Sequence, residues 1–165
     1  MITLVLGGAR SGKSAVAERL VGRLSLPVTY VATGVASDSD MAARIQLHRE
    51  RRPAAWGLVE VEGDDLADAL LAIEGAVLLD ALGTWVASMA TFDAAAVAAL
   101  CRALVERDGD TVIVSDEVGL GVHPSTEVGR QFRDDLGRLN TVVADLADEV
   151  LLVIAGRVLP LEPLA

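Results

Sequence analysis

The chain has 165 residues with 24 acidic against 14 basic side chains, a net charge of −10. That balance argues against a nucleic-acid partner, because phosphate backbones demand basic surface, and no apolar run approaches the roughly 18–20 residues of a membrane span. The single cysteine, Cys101, excludes an internal disulfide and a cysteine-rich zinc site and reads as a buried thiol.

The length suits one domain over residues 1–165, and abundant alanine, valine and leucine with few aromatics suit helices packed on a sheet. The first strand follows Met1 with no basic leader or small-residue cleavage site, so a cytoplasmic protein is expected.

In chain order, Ile2-Thr3-Leu4-Val5-Leu6 reads as a buried strand. It leads into Gly7-Gly8-Ala9-Arg10-Ser11-Gly12-Lys13-Ser14, which fits the phosphate-binding pattern G-x-x-x-x-G-K-[ST]. From Ser14 to Leu24 a helix is expected, with Val16, Leu20 and Leu24 recurring every fourth residue. Strand, glycine loop and helix are the order this chemistry needs. Glycines let backbone amides curl round a polyphosphate, and the helix N-terminus adds its positive dipole end. Lys13 would reach the β- and γ-phosphates, and the Ser14 hydroxyl would bind Mg²⁺.

Val28 to Ala32 reads as a second strand ending at Thr33-Gly34. A helix from Asp38 and Asp40 is expected to run through His48 until Pro53 stops it. Trp56 to Glu62 reads as an edge strand, Asp64 to Ile73 as a short helix, and Ala76 to Asp80 as an apolar strand ending in a carboxylate. Asp93 to Arg107 reads as helix, and Thr111 to Ser115 as strand before a glycine-rich turn. The helix from about Ser125 to Ala147 carries Val128, Phe132, Leu136, Leu139, Val143 and Leu146 on one face. Glu149 to Ala155 is expected to close the sheet.

Apolar strands joined by helices predict an α/β fold of the P-loop nucleoside-triphosphatase kind, a mostly parallel sheet with helices on both faces. The ligand crevice of such a sheet lies beyond the carboxyl ends of its strands. Asp80 is the first choice to hold Mg²⁺ with Ser14, and Asp116 and Glu117 compete for the role.

A second stretch holds Arg44, His48, Arg49, Glu50, Arg51 and Arg52. Arg44, His48, Arg51 and Arg52 share a helix face. Surrounding positive charge favours neutral imidazole, which can attack phosphorus while guanidiniums bind the neighbouring phosphates. From spacing alone, a solvated basic helix end is the simpler reading.

The P-loop spelling resembles that of the bifunctional adenosylcobinamide kinase/adenosylcobinamide-phosphate guanylyltransferases of cobalamin biosynthesis. Tyr30-Val31-Ala32-Thr33, Met41 to His48 with Arg52-Pro53 and Trp56, Glu60, Leu78-Leu79-Asp80 with Trp85-Val86, Glu117-Val118-Gly119, and Ala147-Asp148-Glu149-Val150 extend the resemblance. It spans nearly the whole chain, in order.

The resemblance implies two reactions. A nucleoside triphosphate, ATP or GTP, phosphorylates adenosylcobinamide. A histidine then takes GMP from GTP and passes it to adenosylcobinamide phosphate, giving adenosylcobinamide-GDP. The histidine carries over onto His48. The nucleotide contacts carry over onto the P-loop, Ala32, Thr33, Gly34, Arg49 to Arg52, Glu60 and Asp80. A homotrimer is implied as well. The chain departs from the family at Ala81, at Gly83-Thr84 and at Asp116, where asparagine is usual; His123 reads as a loop residue. Arg130, Arg133, Asp134, Arg138 and Asn140 are expected on the polar side of the long helix, in salt bridges or at a subunit contact. A monofunctional P-loop kinase and a non-catalytic nucleotide-gated module remain the alternatives.

Overall fold

The computed structural model describes residues 1–24, 27–34, 53–89 and 91–163. Seven strands form one sheet in the order β3-β2-β4-β5-β1-β6-β7. They are β1 (Ile2–Gly7), β2 (Val28–Ala32), β3 (Gly57–Glu60), β4 (Ala76–Asp80), β5 (Thr111–Asp116), β6 (Glu149–Ile154) and β7 (Arg157–Leu161). β1 to β6 pair parallel, and β7 runs antiparallel to β6. The described helices are α1 (Lys13–Val21), α2 (Leu66–Ala72) after a 3-10 turn at Gly63–Asp65, α3 (Leu82–Ser88), α4 (Ala94–Glu106) and α5 (Glu127–Leu146).

Alternation along the strands fills two cores, as burial of both faces of a parallel sheet requires. Val5, Tyr30, Leu78, Val112 and Val114 pack with Val16, Ala17 and Val21 of α1 on one face. Leu4, Leu6, Val31, Leu79 and Ile113 pack on the other against α2 to α5 through Leu70, Trp85, Leu100, Leu136 and Leu139.

Several expectations need correction. The sheet does not close at β6: a turn at Ala155 and Gly156, both at positive φ, reverses the chain into β7. A further helix, α3, follows β4 directly. Its Leu82, Gly83, Trp85 and Val86 are buried, so it reads as more of the same apolar run. On α5, Leu136, Leu139 and Val143 are buried as expected, but Val128 is 79% exposed in the first turn. Asn140 leaves the polar side for the interior, where it accepts from Ser115 Oγ at 2.6 Å. The other polar residues of α5 make local contacts: Arg133 pairs with Asp134 and bonds His123, Arg138 pairs with Asp135, and Arg130 donates to the Pro124 and Ser125 carbonyls. Arg133 hydrogen-bonding holds the Asp134 carboxyl below its ordinary range. Cys101 is half-buried, and burial raises its thiol pKa.

At the opposite end of the sheet from the P-loop, buried Arg107 ties two connections together, the one before β4 and the one before β5. Its guanidinium faces Thr111 Oγ1 at 2.6 Å and the carbonyls of Gly75 at 2.7 Å and Gly109 at 2.8 Å. Burial pushes its pKa down against the pull of Asp110 and Asp108. Gly109 (φ +105°) lies so near the Gly75 carbonyl that a Cβ would collide with it. Arg107→Ala strips buried acceptors of their donors, at about 1–3 kcal/mol each before relaxation. We expect a loss of about 3 kcal/mol, read as a fall in Tm of roughly 6–12 °C in thermal unfolding. A fall under 2 °C would rule the clamp out.

Candidate nucleotide-binding site

Parallel register brings the informative residues to one edge. Ala32 aligns with Glu60 on one side and Asp80 on the other, and Gly7 aligns with Asp116 and Val153. The carboxyl ends of β3, β2, β4, β5 and β1 therefore present Glu60, Ala32, Asp80, Asp116 and the P-loop in a row, where an open α/β sheet binds its ligand.

The loop from Gly7 to Ser14 is built by close approach. A Cβ on Gly7 would strike the Ser11 hydroxyl and lie 2.8 Å from the Val153 carbonyl. Gly12 takes φ +94° at the N-cap of α1, and no side chain caps that helix. Ser11 N–H donates to the Gly8 carbonyl at 3.2 Å, and Gly156 N–H donates to Ser11 O at 2.8 Å. Ala9 and Arg10 are exposed at the tip, with Arg10 at φ 58°. The uncapped N-terminus of α1 thus faces the loop, the arrangement that receives a phosphate.

Lys13 opens α1 with its side chain only 13% exposed. Its ammonium donates to the Gly8 carbonyl at 3.3 Å and pairs with Asp116 Oδ1 at 2.6 Å. Ser14 Oγ lies 3.5 Å from Asp80 Oδ1, while Tyr30 OH donates to Asp80 Oδ2 at 2.8 Å. Of the competing carboxylates, Asp80 faces the P-loop serine, Asp116 faces the lysine, and Glu117 turns back to accept from Gly119 N–H at 2.6 Å.

Thr33 is fully buried. Its hydroxyl donates to the Ala81 carbonyl at 2.6 Å and meets Thr84 Oγ1 at 2.7 Å, clasping β2 to the start of α3. Half-buried Gly34 lies beside Thr84, and Glu60 is exposed at the edge of the row. His48, Arg49, Glu50, Arg51 and Arg52, with the helix expected around them, lie outside the described residues.

Sequence reasoning did not foresee the Lys13–Asp116 pair, the Tyr30–Asp80 bond or the support from Asn140, whose Nδ2 donates to the Asp116 carbonyl at 3.0 Å. Their signal is the strand order, since only with β5 beside β1 does Asp116 come level with the P-loop.

Sheet, loop and helix define a P-loop nucleoside-triphosphatase fold. Solved structures share that fold at low sequence identity. A protein of Pyrococcus horikoshii superimposes with a TM-score of 0.60 at 8% identity, covering 96% of this chain and 84% of that one. The flagellar accessory protein FlaH of Methanocaldococcus jannaschii gives 0.53 at 14%, covering 95% and 74%.

The cobinamide kinase / cobinamide phosphate guanyltransferase family matches residues 3–161, and the chain belongs to that family. It is 40% identical to a bifunctional adenosylcobalamin biosynthesis protein, CobP, of Pseudomonas aeruginosa, over 99% of this chain and all of that one. The corresponding CobU protein of Salmonella typhimurium is 39% identical, with 94% of this chain and 97% of that one covered.

Proposed function

We propose that the chain is the bifunctional enzyme that phosphorylates adenosylcobinamide and then guanylylates the product, in adenosylcobalamin biosynthesis. Near full-length membership of the family carries this reading. The P-loop with Lys13, Ser14 and Asp80 at one sheet edge supports the nucleotide half of it. No described helix is long and apolar enough to cross a membrane, and in this reading the enzyme works in the cytoplasm. In the same reading the protein assembles as a homotrimer.

In the kinase step the terminal hydroxyl oxygen of the aminopropanol arm bonds to the γ-phosphorus of ATP or GTP, and the bond to the β-phosphate oxygen breaks. The loop amides and Lys13 hold the phosphates in line for that displacement, which is mostly positioning and electrostatics. In the transfer step an imidazole nitrogen of His48 bonds to the α-phosphorus of GTP and pyrophosphate leaves. A phosphate oxygen of adenosylcobinamide phosphate then takes the GMP and frees the histidine. Arg49, Arg51 and Arg52 stand beside His48 in sequence, where guanidiniums suit the phosphate oxygens.

The Ser14 hydroxyl and Asp80 carboxylate are hard oxygen donors a coordination sphere apart and fit Mg²⁺. Among the described residues no cluster of three or more His, Cys, Asp or Glu forms a closed cage. In this reading the ion would be held by one carboxylate, a hydroxyl, phosphates and water. Bound there, Mg²⁺ supplies neutralisation of phosphate charge.

Purified protein incubated with adenosylcobinamide, Mg²⁺ and GTP should yield adenosylcobinamide phosphate first and adenosylcobinamide-GDP later, resolved by mass. Formation of neither product, from GTP or ATP, would overturn the reading.

A further inference from the structure

Asp116 is held too firmly against the P-loop lysine to be a chance surface partner. Its backbone is fixed by β1 on one side and Asn140 on another. β5 pairs with β1 so that Asp116 lies level with Gly7, Glu117 N–H donates to the Gly7 carbonyl at 3.0 Å, and Asn140 Nδ2 donates to the Asp116 carbonyl at 3.0 Å. Asn140 is itself buried and oriented by Ser115 Oγ at 2.6 Å. The other carboxylate oxygen rests against buried Gly83 of α3, where a Cβ would come within 2.8 Å of it. The carboxylate stands between α3 and Lys13, with Oδ1 2.6 Å from the ammonium. At that distance in a partly desolvated site, the pair cancels much of the field the lysine projects over the loop.

We propose that Asp116 is the resident counter-ion of the P-loop lysine, exchanged for phosphate when a nucleoside triphosphate binds, and that this exchange sets the affinity for the triphosphate. Asp116 is a positioning residue acting through Lys13. The inference rests on the nucleotide site described under Proposed function. Any polyphosphate at the loop must draw the ammonium from a carboxylate and lie near the charge left behind. β- and γ-phosphates offset that cost by taking the ammonium in turn. A monophosphate does not reach it and neither bears that cost nor takes the ammonium, so the exchange tempers the preference for triphosphates over monophosphates for as long as the lysine mediates it.

The test measures dissociation constants for GMP and for α,β-methylene-GTP, which resists attack at the α-phosphorus, using the whole chain with Mg²⁺. Wild type, Asp116→Asn, Lys13→Met and the double variant are compared. Asp116→Asn should tighten the triphosphate about tenfold, equivalent to about 1.4 kcal/mol, and leave GMP within about twofold. In the Lys13→Met background the same substitution should tighten the triphosphate clearly less, by about threefold at most, since the ion-pair coupling is gone and only direct repulsion between carboxylate and phosphates is relieved. Should Asp116→Asn fail to fold, Asp116→Ser provides the same comparison. Unchanged or weaker triphosphate binding in a folded variant overturns the inference, and so does equal tightening with and without Lys13. A wild-type chain that binds neither the analogue nor ATP overturns the nucleotide site itself, a different and recognisable failure.

Discussion

Lys13→Ala is expected to slow phosphorylation of adenosylcobinamide by about 10²–10³-fold, some 2.7–4 kcal/mol of transition-state stabilisation, the range for removing one preorganised charge-stabilising donor. The lysine begins α1 with its side chain largely enclosed, so its ammonium is delivered to the loop rather than left to wander in solvent. Removing it also leaves the Asp116 carboxylate facing the phosphates without its cation, so the loss compounds a missing attraction with an exposed repulsion. Arginine is a poor substitute. Its planar fork is larger than an ammonium, and the space is bounded by the Gly8 carbonyl and Asp116. Initial rates at saturating nucleotide, with unfolding temperatures recorded alongside, decide the matter. A rate within threefold of wild type would show that the lysine has no part in the transfer.

His48→Ala is expected to abolish the covalent GMP adduct while leaving phosphorylation of adenosylcobinamide within a few-fold of wild type. The two steps use different atoms: the kinase needs phosphates held in line, the transferase a nitrogen nucleophile at the α-phosphorus. Protein exposed to GTP and Mg²⁺ and freed of nucleotide should gain the mass of one GMP, lost again in acid as a phosphoramidate is. The variant should gain nothing. An adduct that persists in His48→Ala would move the nucleophile elsewhere, and His123, held by Arg133 through Nδ1, would be the next residue to replace.

These residues were unequally legible in the sequence. The P-loop was readable because its chemistry is local: a strand, one glycine in close approach, another at positive φ and a helix within some twenty residues. Asp80 was readable as the acid ending an apolar strand, and Asp93 caps α4 where that helix was expected to begin, accepting from the amides of Ala95 and Ala96. What escaped was non-local or out of period. α3 has seven residues, too few to impose a helical repeat on the apolar run it continues. β7 is exposed along its length and carries Pro160, so it lacks the alternation that announces a strand. Asn140 reads as polar surface until strand order brings Ser115 and Asp116 beneath it. Arg107 likewise follows an alanine-rich helix with no hint that carbonyls of its own connection and of the one before β4 converge on it.

The strand that carries the phosphate loop is the first of this sheet in chain order, yet it lies between β5 and β6. Its partners arrive only with Thr111–Asp116 and Glu149–Ile154, and Ser11 is not anchored until Gly156 turns the chain into β7. On the ribosome, β1 and its loop therefore emerge before either of their partner strands, an apolar edge open to non-native pairing until those arrive. The pairings that finish the nucleotide site span well over a hundred residues and belong to the slow end of folding. Nucleotide-binding competence is thus a report on the whole chain having folded, since no fragment lacking β6 contains a completed loop.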